Sequence, residues 1–253
     1  MWLTRRLDTL YDAALALVYP LACAVCGAAD VARRADAPAC AACWARTRVF
    51  TGAETCCWKC GALAQVDVPA VAPEAVWCRR CDAEAFTAAR AAGVYEGALR
   101  AAVLRLKREP HVGARLAALL AATQRRAPLD AADRIVPVPL HPARERERGF
   151  NQAALLARAV AAQTGLPLDE RSLSRAAHTN AHRAGLDARA RRETVAAAFA
   201  VSRPRLIAGT RVLLIDDVFT TGATASACAQ ALTAAGAAAV YVLTAARAEK
   251  NRG

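Results

Sequence analysis

The sequence predicts an α/β protein in which a mostly parallel sheet flanked by helices follows a small cysteine-rich module. Two observations carry this prediction: an apolar strand that leads into a turn rich in threonine and glycine, and four Cys-x-x-Cys pairs in the first third of the chain. The 253 residues are enough for a small metal-held module and one α/β domain. We expect the module over roughly residues 1–85 and the α/β domain over residues 90–253, with a linker from Asp82 to Arg90.

The strand and the turn lie between Arg211 and Thr224, which read RVLLIDDVFTTGAT. The apolar run predicts a strand buried on both faces, and two adjacent carboxylates, Asp216 and Asp217, end it. An Ala-rich helix follows, so its unpaired N–H groups meet the carboxyl end of the strand, where ligands bind in open α/β sheets. This order predicts a phosphate-binding loop. Its residues are Thr220, Thr221, Gly222, Ala223 and Thr224.

Two other interpretations of this segment are open. LLIDD alone fits the Walker B strand of a nucleotide hydrolase, but the chain has no G-x-x-x-x-G-K-[ST] loop. A strand, an Asx-type turn and a helix cap would need no ligand. The hydroxyl and glycine content of the turn exceeds what a cap needs, and Gly222 lets the backbone approach a ligand closely, which favours the phosphate loop.

The eight paired cysteines predict two structural zinc sites. A two-residue gap lets both thiolates of a turn face one tetrahedral ion, and two such turns complete its shell. Cys56 is an alternative to Cys57, because Cys56-x3-Cys60 could substitute for that pair. Taken in sequence order, the ligands are Cys23, Cys26, Cys40 and Cys43 for the first site and Cys57, Cys60, Cys78 and Cys81 for the second.

Disulfides are the alternative to zinc, and they need an oxidising compartment. The N-terminus lacks a persuasive export signal because Asp8 and Asp12 interrupt its apolar stretch, and an amphipathic helix is the simpler interpretation of that region. The longest uncharged stretch, Val218–Ala246, is divided by loop and turn residues, so we predict no transmembrane segment. We therefore expect zinc ligation in a cytoplasmic protein.

A second predicted strand leads into a basic loop. Ile135–Gln152 reads IVPVPLHPARERERGFNQ, and an apolar helical pattern follows it. Prolines stop the strand, and the guanidinium groups of Arg144 and Arg148, which can bind phosphate bidentately, then lie beside the start of a helix. The alternative for the R-E-R-E-R run is a solvated surface that neutralises itself.

The net charge predicts polyanionic partners. The chain has 34 Lys and Arg residues against 22 Asp and Glu, which gives a formal net charge of +12. Such a field attracts a phosphorylated sugar, and it equally attracts single-stranded DNA through phosphate neutralisation. Aromatic residues make up only 5% of the chain, which argues against an extended base-stacking platform. Trp44, Trp58 and Trp77 each lie close to a cysteine pair, where packing explains them, although one exposed indole could stack on a base.

The segment DDVFTTGAT closely resembles the phosphoribosyl pyrophosphate signature of type I phosphoribosyltransferases. The resemblance implies that Asp216 and Asp217 hold the ribose hydroxyls and that residues 220–224 cradle the 5′-phosphate. It implies that the segment from Arg144 to Arg148 receives the pyrophosphate leaving group, while Mg²⁺ bridges the ribose hydroxyls and the pyrophosphate. A nitrogen nucleophile would then attack an oxocarbenium-like centre.

Several phrases narrow the resemblance to the ComF family, whose members pair a cysteine-rich zinc module with a phosphoribosyltransferase domain. The phrases are CAVCG, WKCGAL, GVYEGALRAAVLRLK, VPVPLHPARERERGFNQ and IDDVFTTGAT, and they follow the family's order through nearly the whole chain. Lys107 matches a lysine of this group and is a candidate phosphate contact; a surface lysine at a helix end is the alternative. The stretch Ser174–Val195 departs from the family pattern of the hood loop that closes over substrate.

The resemblance implies two functions from different classes. The first is transfer of a phosphoribosyl group from phosphoribosyl pyrophosphate with Mg²⁺, linked to DNA uptake in natural transformation. The second is a non-catalytic competence factor that binds single-stranded DNA and recruits a helicase or other DNA-processing partners. DNA binding should weaken steeply as salt rises, whereas binding of a metal-bridged sugar phosphate should be less sensitive.

Overall fold

The computed structural model of the protein describes residues 22–28, 37–64, 72–175 and 198–249. The strands are β1 Ala88–Ala91, β2 Arg134–Pro137, β3 Leu173–Arg175, β4 Phe199–Val201, β5 Arg211–Phe219 and β6 Ala239–Arg247. The helices are α1 Ala41–Arg46, α2 Gly97–Leu106, α3 Ala114–Gln124, α4 Pro142–Arg148, α5 Gln152–Thr164, α6 Pro204–Ile207 and α7 Ala223–Ala234. Short 3₁₀ turns span Pro73–Ala75, Arg79–Cys81 and Leu129–Ala131.

A four-stranded sheet in the order β1-β6-β5-β2 forms the centre, and β3 and β4 form a separate antiparallel pair. All three pairings within the larger sheet are parallel, which confirms the predicted sheet type. β5 and β6 pair along their whole length, from Arg211 opposite Ala239 to Phe219 opposite Arg247. β2 lies at an edge, where Pro137 at its end costs the ladder little.

Alternate residues of β5 face two separate cores, because successive side chains of a strand point to opposite faces. Leu213 and Ile215 belong to the core that includes the apolar faces of α3 and α5. Val212 and Leu214 belong to the core that includes α7, where Cys228 is fully buried as a small apolar residue. The predicted α/β fold, with helices on both faces of the sheet, is confirmed.

Each core also contains cysteines of the N-terminal part of the chain. The first core includes Cys23, Cys40 and Cys43, and the second includes Cys57, Cys60 and Cys81. The cysteine-rich part therefore packs directly on the sheet. The predicted linker from Asp82 to Arg90 overlaps β1, and the boundary between the module and the α/β domain stays a prediction.

Two local predictions were wrong. β5 continues to Phe219, so Asp216 and Asp217 lie within the strand rather than at its end, because β6 continues to pair with this part of β5. The predicted basic loop is instead the short helix α4. Its first residue is a proline, which suits a helix start, and Gly149 ends it with a left-handed φ of 81°.

Two predicted features fall outside the described residues: the N-terminal amphipathic helix and the hood loop beyond residue 175. Within the described ranges, no helix combines the length and the apolar character needed to cross a bilayer.

Candidate functional site and zinc centres

The eight paired cysteines form two tetrads. Within each tetrad the four Sγ atoms lie within 4.8 Å of one another. Four thiolates bound at about 2.3 Å around a tetrahedral zinc ion are about 3.8 Å apart. The Sγ atoms of Cys26 and Cys40 are 3.9 Å apart, and those of Cys57 and Cys81 are 3.6 Å apart. Both tetrads therefore fit structural zinc and have the predicted ligand sets, and their separations exclude disulfide bonds of about 2 Å.

Backbone amides favour the thiolate form of one cysteine in each tetrad. Burial opposes ionisation of Cys23, but hydrogen bonds from backbone N–H groups, including those of Cys40 at 3.3 Å and Val25 at 3.5 Å, lower its pKa to about 6. Burial likewise opposes ionisation of Cys57, but backbone donors that include the N–H group of Cys78 at 3.3 Å lower its pKa to about 7. The thiolate is the metal-binding form, so geometry and ionisation agree.

Cys57, and not Cys56, belongs to the second tetrad. The backbone of Cys56 forms an antiparallel bridge with Leu63, and neighbouring side chains of extended backbone point to opposite sides. Only one of two adjacent cysteines can therefore face the ion. Burial raises the pKa of the Cys56 thiol, as expected for a thiol without a metal.

The acidic pair lies on the central strand β5, just before residues 220–224, the predicted phosphate loop. Asp216 Oδ1 accepts the N–H group of Asp217 at 2.8 Å, and Asp217 Oδ1 accepts the N–H group of Val218 at 2.7 Å. Asp217 Oδ2 is buried and accepts no aligned hydrogen bond, although Lys107 Nζ lies 3.2 Å from it in an ion pair. A buried acceptor without any partner costs about 1–3 kcal/mol, and the ammonium group of Lys107 offsets part of that cost here. Asp217 Oδ2 is therefore a point at which a further partner would be stabilising.

Burial and, next, the neighbouring Asp217 carboxylate raise the pKa of Asp216 to about 8. At neutral pH one proton on Asp216 and the ammonium group of Lys107 together offset the two carboxyl groups. A bound cation, or hydroxyl groups that donate hydrogen bonds, could therefore replace the proton on Asp216 and the ammonium group of Lys107 at the two carboxyl groups.

Gly222 gives the phosphate loop its shape. Its φ is 87°, a left-handed conformation that glycine adopts without strain, and a Cβ atom there would lie 2.9 Å from Phe219 Cζ. α7 begins at Ala223, whose N–H group donates to Thr221 Oγ1 at 3.3 Å. The N-cap residue of α7 is Gly222, which has no side chain that could accept a hydrogen bond from the helix. The first turn of α7 therefore presents backbone donors to an anion.

The predicted basic residues lie in two places. Lys107 follows α2 and contacts Asp217, so the structure gives this lysine an acidic partner. Arg144 is exposed on α4, and Arg148 donates a hydrogen bond to Gln152 Oε1. Among the described residues, neither arginine pairs with the acidic pair. β2 nevertheless ends beside β5, since the N–H group of Val138 donates to the carbonyl oxygen of Ile215 at 2.9 Å, so the segment that leads to α4 leaves the sheet next to Asp216.

A cavity of about 530 Å³ opens between the end of β2, the start of α5 and β3. Asn151, Arg158 and Arg175 line it together with prolines of the basic segment. Its volume is in the range of small-molecule sites.

Sequence analysis missed Thr47 and Arg247, which connect the tetrads to the α/β domain. Thr47 Oγ1 donates to the carbonyl oxygen of Cys43 at 2.8 Å and accepts the N–H group of Ala98 at 2.9 Å. Arg247 Nη1 donates to the carbonyl oxygen of Cys60 at 2.5 Å, across 187 positions of sequence. No local pattern could have indicated either contact.

Fold and site together define the class: an α/β protein with a parallel sheet, a carboxylate pair before a phosphate-type loop, and two zinc-type cysteine tetrads. A family model described as a double zinc ribbon domain matches residues 14–82, which include both tetrads. The chain is 37% identical over 143 residues to the DNA utilization protein YhgH of Salmonella typhimurium, over 55% of this chain and 62% of that protein. It is 41% identical over 92 residues to Competence protein F of Haemophilus influenzae, over 36% of this chain and 39% of that protein.

Among solved structures, a glutamine phosphoribosylpyrophosphate amidotransferase from B. subtilis, complexed with ADP and GMP, aligns at 21% identity. That alignment covers 51% of this chain and 25% of the other, with a TM-score of 0.37, and the fold assignment above rests on the sheet itself. The matches span less than two thirds of the length of the two curated relatives. The double zinc ribbon, together with relatives named for competence and DNA utilization, supports the ComF-family prediction.

Proposed function

We propose that this protein binds phosphoribosyl pyrophosphate, or a closely related sugar phosphate, together with Mg²⁺ and transfers the phosphoribosyl group to an acceptor as part of DNA uptake. The observation that carries the proposal is the buried Asp217 Oδ2, which accepts no hydrogen bond and lies on the strand that enters the phosphate loop. The link to DNA uptake is carried over from the relatives named for competence and DNA utilization.

The residues present fit a bound Mg²⁺ ion. Mg²⁺ takes oxygen ligands and is commonly held by one or two carboxylates together with substrate phosphates. Asp216 and Asp217 offer adjacent carboxyl groups, and the buried Oδ2 of Asp217 accepts no aligned hydrogen bond beside its ion pair with Lys107. When bound, the ion would neutralise the charge of the pyrophosphate group.

The side chains of this chain would then position the substrate and stabilise the leaving group. Asp216 and Asp217 would accept hydrogen bonds from the ribose hydroxyls. The loop at Thr220–Thr224 would bind the 5′-phosphate through the first backbone N–H groups of α7. Arg144 and Arg148 would stabilise the departing pyrophosphate, and Lys107, already beside Asp217, would turn to a phosphate oxygen. The cavity beside α4 offers space for the acceptor.

The test is calorimetric titration of phosphoribosyl pyrophosphate into the zinc-loaded protein, with and without Mg²⁺. We expect saturable, Mg²⁺-dependent binding that is lost in the variant Asp216→Asn/Asp217→Asn. The matched control is Asp133→Asn, because Asp133 is an exposed carboxylate paired with Arg211 at the opposite end of β5. Tight binding by the double variant, or none by the natural protein, would contradict the proposal.

A second candidate function, binding of single-stranded DNA with recruitment of a helicase or another DNA-processing partner, is favoured by one surface of the second tetrad. The side chain of Trp77 is exposed, and its Nε1 donates to the carbonyl oxygen of Glu74, which holds the indole in place. Arg79 and Arg80 are exposed beside it. An exposed indole next to two guanidinium groups can stack on a base while the arginines contact phosphates.

This function is tested by binding of a single-stranded oligonucleotide over a range of salt concentrations. We expect Trp77→Ala/Arg79→Ala/Arg80→Ala to weaken binding and to reduce the salt slope by about 0.7 for each phosphate that the variant no longer neutralises. The control is Arg203→Ala/Arg205→Ala, which removes two exposed arginines from the α/β domain. Equal losses of affinity in both variants would indicate attraction by net charge alone and would argue against this surface.

A further inference from the structure

Arg247 connects the second tetrad to the phosphate loop. It is the last residue of β6, and its backbone is fixed on both sides: its N–H group donates to Gly93, and its carbonyl oxygen accepts the N–H group of Tyr95, both at 2.8 Å. Its side chain donates to the carbonyl oxygen of the zinc ligand Cys60, and Nη2 lies 3.9 Å from Cys60 Sγ. One guanidinium group thus contacts both the backbone and the sulfur of a tetrad ligand.

The same guanidinium group also stacks on a residue next to the phosphate loop. Arg247 Cζ is 4.7 Å from the centre of the Phe219 ring, a cation–π distance. Phe219 is the residue directly before the loop, and its ring lies against Gly222, where a Cβ atom would be only 2.9 Å from Phe219 Cζ. The chain of contacts from Cys60 to Gly222 therefore has two intermediates, Arg247 and Phe219.

A second set of contacts supports the same connection. Phe86 follows the last ligand of the second tetrad by five positions, and its ring meets Phe219 edge-on at 5.9 Å. The N–H group of Ala85 donates to Ser226 Oγ, in the first turn of α7, at 2.9 Å. The chain that leaves the second tetrad is thus attached to the helix whose start forms the phosphate site.

We propose that Arg247 is a positioning residue that couples the second tetrad to the phosphate loop, so that zinc at Cys57, Cys60, Cys78 and Cys81 and a sugar phosphate at the loop stabilise each other. The part of this proposal that concerns zinc rests on the geometry of the second tetrad. The part that concerns the ligand rests on the proposed function. Coupling of this kind is reciprocal: whatever factor zinc adds to ligand affinity, ligand adds to zinc affinity.

Arginine suits this position because its planar group can donate hydrogen bonds in its plane while it stacks on a ring. Arg247→Met keeps the length of the side chain and removes both interactions. Arg247→Lys keeps the charge but cannot make both contacts at once, so we expect partial rescue. The matched control is Arg90→Met: Arg90 also donates to a carbonyl oxygen of the second tetrad's turn, that of Trp58 at 2.7 Å, and also stacks on an aromatic ring, but that ring belongs to Trp58.

The first experiment is amide hydrogen exchange of the zinc-loaded protein without ligand. We expect Arg247→Met to raise the exchange rate of peptides covering Phe219–Thr224 about tenfold, within the range typical of coupled sites, with a smaller rise in Arg247→Lys. Arg90→Met should leave these peptides unchanged. Equal protection of the loop in Arg247→Met and the natural protein would overturn the proposal.

The second experiment measures zinc release to a chelator, with alkylation of the freed cysteines and mass spectrometry to assign each ion to its tetrad. We expect phosphoribosyl pyrophosphate to slow release from the second tetrad about tenfold in the natural protein and in Arg90→Met, but not in Arg247→Met. Retained slowing in Arg247→Met would also overturn the proposal. If the natural protein binds no phosphoribosyl pyrophosphate, the proposed function is contradicted instead. The exchange experiment then decides by itself whether Arg247 positions the phosphate loop.

Discussion

The two cysteine tetrads contact the α/β domain at different distances from the candidate site. The first reaches the start of α2 through Thr47, and Lys107, which contacts Asp217, follows the other end of that ten-residue helix, about 15 Å away. The second is separated from the phosphate loop only by the side chains of Arg247 and Phe219. The comparison teaches that two similar metal sites can contribute unequally to the structure of the candidate phosphate site. Loss of the second should disturb the loop directly, whereas loss of the first acts through a whole helix.

The largest effect is expected from removing each tetrad in turn. A structural zinc ion contributes about 10–16 kcal/mol, as much as the whole stability of a typical domain. We expect Cys57→Ser/Cys60→Ser to abolish binding of phosphoribosyl pyrophosphate. Cys40→Ser/Cys43→Ser should lose one zinc ion and retain weakened binding. Zinc content by mass spectrometry, near-ultraviolet circular dichroism and calorimetry measure the metal, the tertiary packing and the binding, and equal losses of binding would remove the distinction between the tetrads.

The next effect is a dependence of stability on pH that comes from the acidic pair. Because the pKa of Asp216 is raised to about 8, the folded protein holds a proton that the unfolded chain releases above about pH 4. Stability should therefore fall as pH rises toward 8, by at most about 1.4 kcal/mol per pH unit for one group. Asp216→Asn should flatten this slope.

Urea unfolding of the zinc-loaded protein between pH 6.5 and 8.5 measures the slope while the tetrads keep their metal. Asp133→Asn is the control, because Arg211 lowers the pKa of Asp133 to about 2 and its effect is constant in this range. An Asp216→Asn variant with the same slope as the natural protein would show that Asp216 does not retain the proton.

An effect of similar size is expected at Gly222, where the second tetrad's chain of contacts ends. Gly222→Ala combines left-handed backbone strain with a contact of 2.9 Å to Phe219, which together cost about 2–3 kcal/mol. Gly209→Ala has similar backbone strain, with φ of 72°, but open space around the new Cβ, and should cost about 1 kcal/mol. Unfolding free energies of the two variants give the difference, and equal values would mean that the Phe219 ring moves aside freely.

The smallest effect is expected at Lys107, where the first tetrad's connection ends. Lys107→Met leaves the buried Asp217 without its cation, and since the lysine is 34% exposed we expect a loss of about 1–2 kcal/mol. Arg105→Met, which breaks a surface pair between the last turn of α2 and Glu109 in the turn that follows it, should cost less than about 0.5 kcal/mol. Thermal unfolding of both variants makes the measurement. A loss in Lys107→Met no larger than in the control would mean that Asp217 is well solvated.

Local sequence patterns predicted the parts of the molecule that local chemistry determines. The Cys-x-x-Cys spacing indicated both ligand sets, and the apolar run before Asp216 indicated the central strand. Spacing could not choose between Cys56 and Cys57, because that choice depends on the bridge to Leu63. It also could not locate the end of β5, which depends on how far β6 continues to pair with it.

The contacts that join the parts could not be predicted, because their partners are distant in sequence. Lys107 and Asp217 meet only after α2 packs on the sheet that contains β5. The helical α4 was within reach of prediction: a proline at the start and Gly149 at the end are ordinary helix boundaries, but the dense charge of the R-E-R-E-R run favoured a loop.

The position of β6 in the chain has a consequence for how the protein is made. Among the described strands, β6 is central in the sheet and is the one that pairs with β1, yet it is the last of them along the chain. Cys60 therefore leaves the ribosome 187 residues before Arg247. At about 5–20 residues per second, the interval is about 10–40 s. During this time the cysteine-rich segment has no finished sheet to pack on, and we expect that zinc bound during synthesis would protect its thiols from oxidation until the sheet closes.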